Sequence, residues 1–369
     1  MNFTSKRINW WEPQIGDEER SLILEVLESN FLNDGIYTTR FEQKLASILG
    51  CKHAVAVTNG TSALFLALVG SGIGPGDEVI IPDITFIATA NAVTLAGAKP
   101  VLVDVDHQSL NISPIEIEKA ITKKTKAVIP VHVSGRPADM ASILSIATKH
   151  KLLVIEDAAE ALLSKHNNKY LGTFGQAGII SFSPNKTITT GQGGVVLLND
   201  DNLEVRLREL KDQGRPVRGT GGEDTHDRVG YNFKLTNLQA AIGIAQLNTI
   251  STRTSRMKQN YIQYLGKLKD IEELTFLPFK VDEGEVPQWV DVLTPRRDDL
   301  IKFLEAREIF CKKFWFPMHT HNPYLMPDKT FPISTQLAAQ AFWLPSCFSL
   351  TNADVDLVCM HIREFFGKN

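Results

Sequence analysis

AVAVTNGTSALFLALV, from Ala54 to Val69, sets the pattern from which the fold is read. Ala54–Val57 is apolar without alternation, which is how a strand covered on both faces reads. Thr58-Asn59-Gly60 supplies turn chemistry, and Thr61–Val69 then runs on at helical length. Strand, tight turn and helix in one short stretch form the first half of a strand–helix–strand unit.

The same alternation recurs outward. Val79–Ile81, Val101–Val105, Ala127–Val133 and Leu152–Ile155 are near-continuous apolar runs, and Ile87–Ala96, Pro114–Ile121 and Met140–His150 carry helical patterns between them. Right-handed crossovers then give an α/β fold, a mostly parallel central sheet with helices on both faces. Beyond it the rhythm changes. Ile179–Ser183 and Gly194–Leu198 read as strands with no room for a helix between them, so they can pair antiparallel. Arg215–Asp227 (RPVRGTGGEDTHD) is rich in Gly and charge and reads as a mobile or partner-ordered loop. Leu235–Leu268 carries one long helical pattern. Strand-like Trp289–Leu293 and helical Asp298–Ala306 and Ala353–Phe366 make a smaller α+β unit. The expected division is a large domain over 1–245 and a small C-terminal domain over 246–369, with the N-terminal segment packing on either.

Composition narrows the function classes. The 369 residues carry a net charge of −3 with acids and bases interspersed, so nothing suggests nucleic acid or a membrane surface as the main partner. Cys51, Cys311, Cys347 and Cys359 are scattered without metal-ligand spacing, and read as reduced thiols with no metal site. The N-terminal MNFTSKRINWWEPQ lacks an apolar core of signal-peptide length, and the longest apolar runs are strand-sized. A cytoplasmic enzyme is the expectation.

Chemistry concentrates in four places. Thr58-Asn59-Gly60-Thr61-Ser62 opens a helix, where the free N–H groups of Gly60, Thr61 and Ser62 suit an anion such as phosphate. Asp157, in Val154–Glu160 (VIEDAAE), stands where a buried strand ends, and a carboxylate there needs a cationic or hydrogen-bonding partner. Lys186 is the sole charged residue between Ile179 and Leu198, and a partly desolvated lysine becomes a nucleophile for carbonyl carbon. Gly230–Lys234 precedes the long helical pattern. Each feature has a plainer reading: an ordinary turn, a helix cap, a loop lysine, a helix start. Together they supply a phosphate cradle, a partner for a protonated pyridine and a carbonyl-reactive lysine, the set that pyridoxal 5′-phosphate requires. GxGxxG and P-loop motifs are absent.

NGTSAL (Asn59–Leu64), PGDEVIIP (Pro75–Pro82), TFIATANAV (Thr85–Val93), IEDAAEA (Ile155–Ala161), SFSPNKTITTGQGG (Ser181–Gly194) and YNFKLTNLQAAIGIAQL (Tyr231–Leu247) resemble the DegT-type sugar aminotransferases, of the aspartate-aminotransferase fold (fold type I). The resemblance implies Lys186 as Schiff-base lysine and proton carrier, and Asp157 as partner of the pyridine nitrogen. It implies Phe86 stacked on the ring, Gly60, Thr61 and Ser181 on the phosphate, and Asn232 reaching the phosphate from the neighbouring subunit of a homodimer. Glu160 stands where many members have Gln near the ring hydroxyl. EDAAEA, NKTITTGQGG and FPMHTHNPY (Phe316–Tyr324) resemble most the GDP-perosamine synthases of that family, which aminate C4 of GDP-4-keto-6-deoxy-mannose with L-glutamate as donor. By the same resemblance Trp289 and His319 are candidate sugar contacts, with core packing as the plainer reading. The resemblance also implies that Asn33, Asp34 and Gly35 occupy a loop that faces the sugar in the family. Departures loosen the choice of sugar and nucleotide: Phe182-Ser183-Pro184 replaces Phe-Phe-Gly, and Asn232-Phe233-Lys234-Leu235 replaces Asn-Tyr-Arg-Met. A UDP- or dTDP-linked 3- or 4-keto-6-deoxy sugar is the alternative substrate. A sugar dehydratase, which has histidine in place of the lysine, and a regulatory protein with a silent site are the rivals.

Overall fold

A computed structural model describes residues 7–216 and 224–368. Thirteen strands form three sheets: β1 His53–Val57, β2 Glu78–Pro82, β3 Lys99–Val103, β4 Thr125–Val128, β5 Leu153–Asp157, β6 Lys165–His166, β7 Lys169–Tyr170, β8 Ala177–Ser181, β9 Gly194–Leu198, β10 Thr275–Phe276, β11 Val290–Leu293, β12 Lys312–Lys313 and β13 Ala341–Leu344. The central sheet has the order β1-β9-β8-β5-β4-β2-β3. Only β9 runs against its neighbours, pairing antiparallel with β1 and β8 as the short connection between β8 and β9 requires. β10-β11-β13-β12 form the smaller antiparallel sheet, and β6 and β7 a short hairpin.

The helix Gly60–Gly70 explains why the reading from Ala54 extends to the whole sheet. Ala63 through Leu68 are buried in the main core together with Val79, Ile155 and Ile179, so the helix is apolar all round because it is covered all round. On the opposite face of the sheet, Phe41 and Leu45 of one helix and Ala240 and Ile244 of another close a second core over Val195 and Leu197. A separate core holds the small sheet, with Tyr264, Val290, Val292, Phe342 and Ile362 at its centre.

Three sequence expectations change. In the run Ala127–Val133 the regular strand ends at Val128 and is interrupted at Pro130, which has no N–H to give; pairing resumes as a parallel bridge between Val131 and Asp157, with the Pro130 carbonyl accepting from the N–H of Asp157 at 2.9 Å. The single pattern Leu235–Leu268 divides at Thr249 into helices Asn237–Asn248 and Ile250–Leu268. The N-terminal segment divides too. Ile8 bridges to Ile309 and Trp10 stacks on Trp343 beside the small sheet, whereas the helix Asp17–Glu28 lies against Asn237–Asn248. Residues 217–223 of the Gly-rich segment lie outside the described residues. Among the described residues no helix is long and apolar enough to cross a membrane.

Candidate active site

A cavity of about 430 Å³ opens at the carboxyl ends of the parallel strands, the edge where open α/β sheets receive ligands. The turn after β1 brings Asn59, Gly60 and Thr61. The loop after β2 brings Thr85 and Phe86, β5 delivers Asp157 with Glu160 just beyond, and β8 ends on Ser181. Lys186 comes from the segment between β8 and β9, and Trp289, Lys312 and Trp315 come from the small-sheet side.

At one end the chain leaves an anion cradle. Asn59 caps the helix by accepting from the N–H of Ser62 at 2.8 Å, which leaves the N–H groups of Gly60 and Thr61 without an acceptor among the described residues. A Cβ built on Gly60 would stand 3.0 Å from Cβ of Ser181, so only glycine keeps this end open. Ser62 is not part of the lining. Its N–H is bound by the cap and its hydroxyl accepts from Thr58 at 3.2 Å, so of the three residues expected to bind an anion here it is withdrawn.

Asp157 and its neighbour Glu156 show how one strand separates structure from chemistry. Successive side chains face opposite sides of a sheet. Glu156 is fully buried away from the cavity, where it accepts the N–H groups of Gly172, Phe174 and Gly175. Its Oε2 also lies 3.0 Å from Nε2 of His132, whose Nδ1 accepts from the N–H of Ala138, so the ring proton sits on the Glu156 side. Asp157 faces the cavity. Thr89 donates to its Oδ2 at 2.8 Å and the N–H of Ala159 to its Oδ1 at 3.2 Å. Burial pushes the Asp157 carboxyl above the usual carboxylate range, opposed by those two hydrogen bonds and by the charge of Lys186. A cation against it reverses the burial effect. Phe86, 58 % exposed, presents a bare ring to the same cavity. Cradle, open ring and buried carboxylate fit a planar, phosphorylated, cationic heterocycle such as protonated pyridoxal phosphate.

Lys186 is held from three directions. Glu160 Oε1 lies 3.1 Å from its Nζ, and the Trp289 ring centroid 4.8 Å from it. Oε2 of Glu160 accepts from the N–H of Ser134 at 3.0 Å, a residue in the left-handed region (φ 54°). Burial raises the Glu160 carboxyl, against the charge of Lys186. Gln288, fully buried, brackets the lysine. Its Oε1 accepts from the N–H of Thr187 at 3.1 Å, and its Nε2 donates to the carbonyl of Asn185 at 3.2 Å. Its own N–H reaches the carbonyl of Ser134 at 2.8 Å, which ties the bracket to the residue that holds Glu160.

Three of the four expected sugar contacts lie outside this chain's cavity lining. His319 is fully buried outside the cavity lining, with Nδ1 2.7 Å from Asp83 Oδ2 and its ring stacked on Phe331. It packs, as the plainer reading had it, because Asp83 holds both its ring and its backbone N–H. Asp34 is buried in an ion pair with Lys211 at 3.1 Å, so its carboxylate serves the fold. Asn33 and Asn232 are exposed and outside this chain's lining. Lys234, which stands in for the family's Arg, pairs with Asp212 and does not line the cavity. Trp289 does line it, and its buried indole N–H has no acceptor among the described residues. Sequence reading passed over Thr89, Ser134, Gln288, Lys312 and Trp315. Thr89 lies inside a quoted motif; the others reach the site through tertiary packing and leave no local signal.

The sequence profile of the DegT/DnrJ/EryC1/StrS aminotransferase family matches residues 13–363. The chain belongs to this family. Among relatives, it is 39% identical over 365 residues to the GDP-perosamine synthase of Caulobacter vibrioides, covering 95% of this chain and 96% of that one. It is 39% identical over 367 residues to the GDP-perosamine synthase of Escherichia coli O157:H7, covering 98% and 99%. Among solved structures, S. venezuelae DesV superposes with a TM-score of 0.91 at 33% identity over 95% of each chain. The DegT-family fold expected from the sequence is therefore the observed one, and the protein is an aminotransferase.

Proposed function

We propose that the protein is a pyridoxal-phosphate aminotransferase that transfers the amino group of L-glutamate to a nucleotide-linked keto-sugar, at C4 of GDP-4-keto-6-deoxy-mannose, to give GDP-perosamine. The observation that carries this reading is the meeting of Lys186, Glu160 and Asp157 in one cavity. Its support for the sugar is the near full-length similarity to two proteins named GDP-perosamine synthase.

In this reading the N–H groups of Gly60 and Thr61 and the Ser181 hydroxyl hold the phosphate, and Phe86 covers the ring. Asp157 keeps the proton on the ring nitrogen. Bound there, pyridoxal phosphate supplies the electron sink for the carbon that loses its proton. Nζ of Lys186 takes the α-proton of the donor, and in the second half of the cycle Nζ gives a proton to the sugar carbon. Glu160 orients Nζ. Trp289 faces the sugar with a buried indole N–H that has no acceptor among the described residues. Asn232, exposed in the single chain, reaches the phosphate of a neighbouring subunit, which makes the working unit a homodimer.

The test offers purified protein, pyridoxal phosphate and L-glutamate to GDP-, UDP- and dTDP-linked 4-keto sugars, with mass spectrometry of the products. An amino-sugar from the GDP substrate is expected. Turnover of a UDP- or dTDP-sugar alone would discard the perosamine assignment and keep the aminotransfer chemistry.

A further inference from the structure

Two lysines line the cavity, and only one has an acidic partner. Lys186 is paired with Glu160. Lys312 projects from β12, opposite Trp343 in the small sheet, with Nζ 4.4 Å from the Trp10 ring centroid and 5.8 Å from that of Trp343. Its sequence neighbour Lys313 pairs with Asp298 at 3.0 Å, but among the described residues no carboxylate stands within ion-pair reach of Lys312. Lys312 is exposed on one side, and partial desolvation against the aromatic wall lowers its ammonium from the usual lysine range. Lys312 lines the same cavity as Lys186 and Glu160, and the charge of Lys186 adds to that lowering while Glu160 opposes it. A cation without a partner, set in an aromatic wall beside the reactive lysine, is arranged to receive an anion that arrives with a substrate.

We propose that Lys312 anchors the α-carboxylate of the amino-acid donor. This rests on the aminotransferase reading with glutamate as donor. The two substrates that alternate in the cavity differ in where their charge lies. An amino acid carries a carboxylate on the same carbon that bears the reacting nitrogen, so that anion must sit close to Lys186. A nucleotide-linked 4-keto sugar is neutral around its reacting carbon, and its diphosphate lies across the sugar ring. A cation near Lys186 therefore serves the amino acid. Lysine suits an alternating site, since a point charge on a flexible stem can withdraw along the faces of Trp10 and Trp343 when the sugar enters.

The test uses the cofactor-loaded protein and its Lys312→Met and Lys312→Arg variants. Two binding readouts are taken: the concentration dependence of the absorbance change on adding L-glutamate, and quenching of tryptophan fluorescence by glutarate, an unreactive dicarboxylate. The KM for the keto-sugar is measured in parallel. Lys312→Met is expected to weaken glutamate and glutarate by about tenfold or more, the loss of one charged hydrogen bond. The sugar KM should stay unchanged, and Lys312→Arg should recover most of the donor affinity. A raised sugar KM with unchanged glutamate binding would assign Lys312 to the diphosphate and overturn the proposal. Unchanged values for both would overturn it as well. If the unaltered protein shows no absorbance change with glutamate, the aminotransferase reading itself has failed. A normal response shared by Lys312→Met refutes the role of Lys312 alone.

Discussion

Glu160 holds Lys186 at 3.1 Å in a pair nearly sealed from water, with the lysine side chain 11 % and the glutamate 5 % exposed. Such a pair is costly to break on one side, because the remaining charge is left buried. Removing one partner of the contact that presents Nζ to a substrate therefore also destabilises the fold.

Lys186→Ala is predicted to lower turnover by about 10²–10⁴-fold or more, from loss of the proton carrier. It should also destabilise the cofactor-free protein by up to about 3 kcal/mol. Burial already raises the Glu160 carboxyl and Lys186 opposes the rise, so the variant raises it further. A raised folded-state value costs stability as pH rises from the ordinary carboxylate range toward that value. The deficit should therefore be larger at neutral pH than in acid, and Glu160→Gln added to Lys186→Ala should recover stability without activity. Chemical denaturation across pH reads this out. A deficit independent of pH would contradict it.

Asp157 carries the same logic in the opposite sense. Its carboxyl is raised chiefly by burial, so in the cofactor-free protein it penalises the folded state increasingly as pH climbs through the shifted range. Asp157→Asn removes the penalty. The cofactor-free variant should melt a few degrees higher at neutral pH, with the advantage vanishing in acid, while its turnover falls by about 10²-fold or more. A variant that melts lower at neutral pH would refute the account of Asp157.

Gln288→Ala removes the bracket on both sides of Lys186 while leaving the lysine and Glu160 in the sequence. Losing two buried hydrogen bonds should cost about 1–3 kcal/mol of stability. The prediction specific to positioning is a split in kinetics: kcat falls about tenfold or more with donor KM little changed, and Gln288→Glu fails to rescue because it cannot donate to Asn185. A purely structural residue would change the melting temperature and leave kcat of the folded fraction intact.

Gly60→Ala tests the cradle. The added Cβ would crowd Ser181 at 3.0 Å, and α-helical φ and ψ present no obstacle to alanine there. Pyridoxal phosphate should therefore dissociate about tenfold more readily, a change of about 1.4 kcal/mol, with melting of the cofactor-free protein nearly unaffected. Dialysis against buffer followed by titration with the cofactor measures it. Equal retention in the variant would place the phosphate elsewhere.

Much of this architecture was legible because its signals are local. The covered strands and the helix opened by Asn59-Gly60 announce themselves through burial patterns that a few consecutive residues complete. Lys186 stands out by the absence of charge around it, and Asp157 by ending a buried run. What sequence could not give depends on partners far along the chain. Thr89 reaches Asp157 from 68 residues away and Gln288 reaches Thr187 from 101. His319 and Asp34 misled for the same reason: their own surroundings in sequence do not show Asp83 or Lys211, which claim them for packing. The break at Thr249 was hidden because the apolar pattern continues on both sides of it.

The most direct test of the central claim is the visible absorbance of the pyridoxal-phosphate-loaded protein as L-glutamate is added with no sugar present, with Lys186→Ala alongside. The account predicts conversion of the cofactor to its amine form in the unaltered protein, reversed by 2-oxoglutarate, and no conversion in the variant. An unaltered protein that gives no change, or a Lys186→Ala variant that converts at the same rate, would contradict it.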